Sequence, residues 1–169
     1  MSIAQNYLAE FEQEAQITRR FLDRVPEKRL TWKPHDKSMS AGQLALHLAM
    51  VPGQVMNMAA LESIPLPEFA ESPQPKTKAE VLQAFEASIA KVRETLPTLD
   101  DTTMHRTWRA VKDGRDALAL PRAAMLRMIL LSHWIQHRGQ LSVYLRLLGE
   151  KVPASYGPSA DEAPTFLRA

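Results

Sequence analysis

The chain has 169 residues, 21 Lys and Arg against 19 Asp and Glu, and a formal net charge of +2, enough for one domain with a real hydrophobic core. It contains no cysteine. That excludes a disulfide framework, a Cys-based zinc ribbon, an iron–sulfur cluster and a thiol nucleophile, so any metal falls to histidine and carboxylate ligands. The basic residues are scattered and form no long run, which argues against a nucleic-acid partner. The early acidic residues Glu10, Glu12 and Glu14 are unlike a secretory signal, and no apolar stretch approaches the ~20 residues of a membrane span. A cytoplasmic protein with a single domain over residues 1–169 is expected.

Apolar residues three and four apart dominate the pattern and predict four long helices. The first runs from about Ser2 to Val25 and is closed by Pro26, which cannot continue it. A polar connector follows from Glu27 to Met39. The second helix opens on a capping box, Ser40 with Gln43, and runs to about Leu61, with Pro52-Gly53 expected to kink or split it. Four prolines make Ser63–Lys76 read as an extended surface loop. Helix three starts at the Thr77–Glu80 capping box and carries the stripe Val81, Leu82, Phe85, Ile89, Val92 and Leu96. Between Asp100 and Leu120 the helical period fails, and Asp113-Gly114 between two short apolar runs predicts a small β-hairpin. Pro121 suits the first position of the last helix, which stops at Gly149. The Pro-rich tail reads as loop over the helices. These elements predict an all-α four-helix bundle with a small β-hairpin before the last helix.

The chemistry concentrates in histidines. His133 and His137 are one turn apart on one face of the last helix. Stepping ~100° per residue places them amid Leu126, Ile129, Leu130 and Leu148, on the stripe expected to face the core. His47 falls among Leu44, Val51 and Met58 on the apolar stripe of helix two. Imidazoles buried there cost about 1–3 kcal/mol for each polar group left unpaired, and a metal shared between facing helices would satisfy them. Three histidines with open positions is a catalytic rather than a structural arrangement. The alternative is three core histidines bonded to carbonyls or carboxylates. His35 and His105 lie in predicted loops and read as solvated.

The segment His133-Trp-Ile-Gln-His-Arg-Gly-Gln-Leu141, with Tyr144–Gly149 after it, resembles the C-terminal motif of the DinB family. Leu30-Thr-Trp-Lys-Pro34, Ser40–Leu44 and His47-Leu48 match upstream, and the tail from Val152 to Ser159 fits as well. The resemblance implies a four-helix bundle, commonly a homodimer, with a divalent metal held by His47, His133 and His137. Relatives include thiol-dependent transferases that use bacillithiol or mycothiol, and thiol-cofactor isomerases. The family name refers to damage-inducible expression.

A three-histidine metal with open positions makes water or thiol ionise near neutral pH. Without cysteine, sulfur chemistry needs an external low-molecular-weight thiol. Metal-dependent thiol transfer or hydrolysis of a small-molecule substrate is therefore the leading expectation, and a non-catalytic metal- or ligand-binding stress-response protein the alternative. Zinc, nickel, iron and manganese all accept imidazole. No catalytic base is marked: Asp36, Asp161 and Glu162 lie in predicted loops and read as solvated. Gln140 and Tyr144 share the histidine stripe, so either could orient a ligand; Tyr144 as a locally bonded core residue fits equally. Arg138 points elsewhere and reads as structural or interfacial. A second apolar line on the last helix, Leu131, Trp134, Ile135 and Leu145, is expected to pack against a second subunit or under the tail.

Overall fold

The computed structural model describes residues 1–68 and 72–164. Helix α1 (Ile3–Arg24) begins at a reciprocal capping box between Ser2 and Gln5 and ends at Val25, next to Pro26. A 3-10 turn, Glu27–Arg29, leads into the connector. Helix α2 (Ala41–Ala59) starts on the expected Ser40–Gln43 box. Pro52 lies inside α2 but does not split it. Proline has no N–H for the carbonyl four residues back, that of Leu48. The Trp134 indole supplies the donor instead, at 2.7 Å, so a neighbouring helix repairs the ladder. Gly53 lets α2 approach the next helix: a Cβ there would stand 2.9 Å from Ser88 Oγ.

Part of the expected loop is a strand. Strand β1 (Ser63–Pro65) pairs in parallel with β2 (Thr107–Lys112), Ile64 opposite Ala110. Pro65 is tolerated because β1 is an edge. Residues 69–71 of that loop lie outside the described residues. Beyond them the chain returns to α2, where Gln43 Nε2 donates to the Ser72 carbonyl at 2.8 Å. Helix α3 (Lys78–Thr95) has Thr77 as its cap, but only half of the expected box forms, since the Glu80 carboxylate accepts from Lys76 N rather than from Thr77 N. After a 3-10 turn, Leu96–Thr98, comes an unexpected short helix, α4 (Asp101–His105), capped by Asp100.

The hairpin is present. Strand β3 (Arg115–Pro121) runs antiparallel to β2 in a sheet of order β1-β2-β3. Asp113 and Gly114 both have positive φ, 50° and 72°, the requirement of a two-residue turn matched to strand twist. Pro121 ends β3 and precedes the helix rather than opening it. The last helical run has three parts: α5 (Arg122–Met125), a π-helical stretch Leu126–His133, and α6 (Trp134–Leu147). Gly149, at φ 77°, follows its end.

Among the described residues the fold is thus mostly helical with one small sheet. Helix α2 packs on α3 and α6, and α1 packs on α3 and α6. Trp134 stacks on Phe11, with ring centres 5.2 Å apart, and lies 6.4 Å from Phe85. This corrects the expectation of a subunit interface along Leu131, Trp134, Ile135 and Leu145. Leu131, Trp134 and Leu145 are fully buried within the chain, and Ile135 is half-buried. The physical reason is helical phase. The buried line of α6 is Trp134, Arg138, Leu141 and Leu145, and the wider π turn before it invalidates a constant step per residue. The line assigned to a partner is the core face, and the histidines stand on its flank.

Candidate metal centre

His47 comes from the middle of α2, His133 from the last residue of the π stretch and His137 from the first turn of α6. One ring nitrogen from each lies within 4.8 Å of the others. The His133 and His137 ring centres are 4.4 Å apart, and those of His47 and His137 4.6 Å. All three side chains are half-buried. Sequence spacing brings His133 and His137 together, whereas His47 arrives through the packing of α2 on α6. A π turn is often found at functional sites, and here one ends at His133.

The cluster is chemically incomplete. His47 Nε2 and His133 Nδ1 are buried without a hydrogen-bond partner of good geometry. Each such atom costs about 1–3 kcal/mol. The Nε2 atoms of His133 and His137 face one another at 2.9 Å, so one must carry the proton between them. Burial, reinforced by His137 and then His133, pushes the His47 pKa down to about 4. Burial first and His137 second also lower that of His133, with the Ile129 backbone opposing. At neutral pH both rings are uncharged, the form in which imidazole ligates metal.

Gln140 completes the arrangement around His137. Its side-chain oxygen lies 2.7 Å from His137 Nδ1. With that oxygen accepting, Nδ1 holds the proton and Nε2 presents its lone pair to the cluster, the orienting contact that metal-binding histidines normally have. Tyr144 has a different task. Its hydroxyl donates to the Met39 carbonyl at 3.2 Å and its ring meets Trp32 edge-on at 5.7 Å, so it braces α6 against the segment before α2.

Other polar residues resolve as structure. Arg138 is buried, bonded to Glu14 at 2.6 Å and to Thr18 and Tyr156. Asp161 and Glu162, expected to be solvated, hold the tail: Asp161 pairs with Arg146 at 2.6 Å, and Glu162 with Arg20 and Arg24. His35 accepts from Lys37 N at 3.1 Å and is exposed, as is His105 at the end of α4.

Beside the histidines lies a cavity of about 660 Å³, with His47 and His133 in its wall together with Trp108 of β2 and Leu118 of β3. Sequence reasoning missed this sheet contribution. The only available signal was the alternation in Thr107–Lys112 that turns Trp108 and Ala110 to one side.

The chain is 25% identical over 168 residues to the uncharacterized protein YrdA of Bacillus subtilis (strain 168), covering 95% of this chain and 92% of the relative. Its fold is similar to a crystal structure of a DinB-like protein from Bacillus cereus ATCC 10987, with a TM-score of 0.71, 21% identity, and coverage of 90% of this chain and 97% of that one. It is also similar to the DinB-like protein YjoA of Bacillus subtilis, with a TM-score of 0.69, 21% identity, and coverage of 89% and 96%. The sequence profile of the DinB family matches residues 1–165, and the chain belongs to the DinB family.

Proposed function

We propose that His47, His133 and His137 hold one divalent transition-metal ion in a DinB-type four-helix bundle, and that the protein is an enzyme using it for thiol-dependent transfer or hydrolysis. The observation that carries this reading is that one ring nitrogen of each histidine lies within 4.8 Å of the others, with the Nε2 atoms of His133 and His137 2.9 Å apart and the buried Nε2 of His47 without a hydrogen-bond partner. Buried polar groups are normally satisfied, and a metal held between the three rings would supply the partner that His47 Nε2 lacks.

A bound ion supplies Lewis acidity and lets water or a thiol ionise near neutral pH. The chain supplies the rest. His47 and His133 stay neutral, Gln140 holds the His137 tautomer, and the apolar wall beside them limits water. The thiol has to come from outside, because the chain has no cysteine. Zinc, nickel, iron and manganese remain the candidates, since imidazole accepts each.

The test is metal content by mass spectrometry on untagged protein, with His47→Ala and His133→Ala beside the wild type. About one equivalent of a transition metal, lost in both variants, is expected. Well-folded wild type that holds no metal and cannot be reconstituted would overturn the reading.

A further inference from the structure

The wall of the cavity is apolar to an extent that selects its occupant. Helix α2 contributes Val51, Val55 and Met58, β1 contributes Ile64, and the π stretch contributes Met128 and Ile129. The indole of Trp108 adds only ring surface, because its N–H is already given to the Met58 carbonyl at 3.0 Å. The backbone of β1 and β2 is likewise engaged in their ladder. Among the described residues the wall contains no Asp, Glu, Lys or Arg, and its polar side chains are Gln54, His47 and His133. Away from the two histidines, a charged body placed there would lose its hydration without gaining a counter-charge from the described wall.

From this we infer that the cavity binds the body of a neutral, predominantly alkyl or aryl small molecule whose one electron-pair-donor head reaches the histidines. A volume of about 660 Å³ lies within the range of small-molecule sites. This rests on the metal reading for the head group alone; the apolar body is argued from the wall itself.

Two measurements separate the halves. Metal-free protein is titrated with the neutral fluorophore Nile red, in wild type and in Leu118→Asp and Met128→Asp, which alter partly exposed wall positions. Saturable binding at one equivalent, weakened at least tenfold in a variant that keeps its circular dichroism spectrum, is expected. Cobalt-loaded protein is then titrated with acetohydroxamate, butyrohydroxamate and hexanohydroxamate. Binding should tighten by up to about fourfold per added methylene in wild type, with the gain lost in the variants. No Nile red binding, equal binding by a folded variant, or hydroxamate affinity independent of chain length overturns the apolar site, and the metal reading then stands alone. Nile red binding by protein that takes up no cobalt overturns the metal reading, and the head-group half of this inference with it.

Discussion

Two polar clusters sit one residue apart on the last helix and are built in opposite ways. Arg138 is 2% exposed, yet its guanidinium is bonded to the Glu14 carboxylate, the Glu14 carbonyl, Thr18 and Tyr156. Its neighbour His137 faces two more histidines, two of whose buried nitrogens have no partner. Burying charge is costly unless it is paired and hydrogen-bonded, and the Arg138 cluster meets that condition from α1, α6 and the tail. The histidine cluster buries neutral rings instead, and leaves His47 Nε2 and His133 Nδ1 without a hydrogen-bond partner of good geometry. One network is satisfied from within the chain; the other leaves buried nitrogens unpaired beside a cavity.

The contrast breaks most visibly at Arg138. Arg138→Met leaves the Glu14 carboxylate buried without its partner, and a loss of about 3–5 kcal/mol is expected in urea unfolding. The double variant Glu14→Gln/Arg138→Met should recover much of that loss. If the single variant unfolds like wild type, the cluster does not hold the fold together. The histidine side should respond in the opposite way, through ligand rather than through residue. Zinc at about a hundred times its Kd should stabilise wild type by about 2.7 kcal/mol, read as a rise in Tm, and should leave His47→Ala unmoved. An equal rise in His47→Ala would place the metal elsewhere.

The two clusters were unequally legible in the sequence. The histidines were readable because His133 and His137 share a helical face at a spacing of four and His47 lies on an apolar stripe. Their meeting with His47 comes from the packing of α2 on α6, with the histidines on the flank of the buried line of α6. The Arg138 network was not readable, because Glu14, Thr18 and Tyr156 come from segments far apart in the chain. The capping boxes at Ser40 and the Asp113-Gly114 turn were legible because the signals are local. Strand β1 was hidden because three residues with a proline carry no period, and their pairing with β2 is long-range. The π stretch misled most: it shifted the phase of the last helix and exchanged the core face for an imagined subunit interface.

Gln140 sharpens the comparison, since its side chain lies outside the cluster and contacts His137 Nδ1. Gln140→Ala should weaken metal binding by about tenfold to a hundredfold with little change in apo stability, because the side chain is exposed. Competition with a chromogenic chelator measures this directly. Unchanged affinity would mean that His137 needs no fixed tautomer and that the 2.7 Å contact is incidental.

The smallest expected effect belongs to Tyr156, at the edge of the satisfied cluster. Its ring is largely open to solvent, 58% exposed, but its hydroxyl turns inward, donating to Glu14 at 2.7 Å and accepting from Arg138 at 2.7 Å. Burial of that hydroxyl first, and its bond to the Glu14 carboxylate second, raise the phenol pKa from 10.0 to about 12, with Arg138 opposing. The folded state therefore keeps a proton that the unfolded state releases above pH 10. Stability contributed by the neutral phenol is fully present below pH 10 and is lost as pH rises toward 12. Urea midpoints of wild type and Tyr156→Phe should accordingly converge across that interval, wild type falling more steeply because the variant has no phenol to ionise at this position. Curves that stay parallel would show that the hydroxyl ionises freely, and that the network closing around Arg138 ends at Glu14 and Thr18 without the tail.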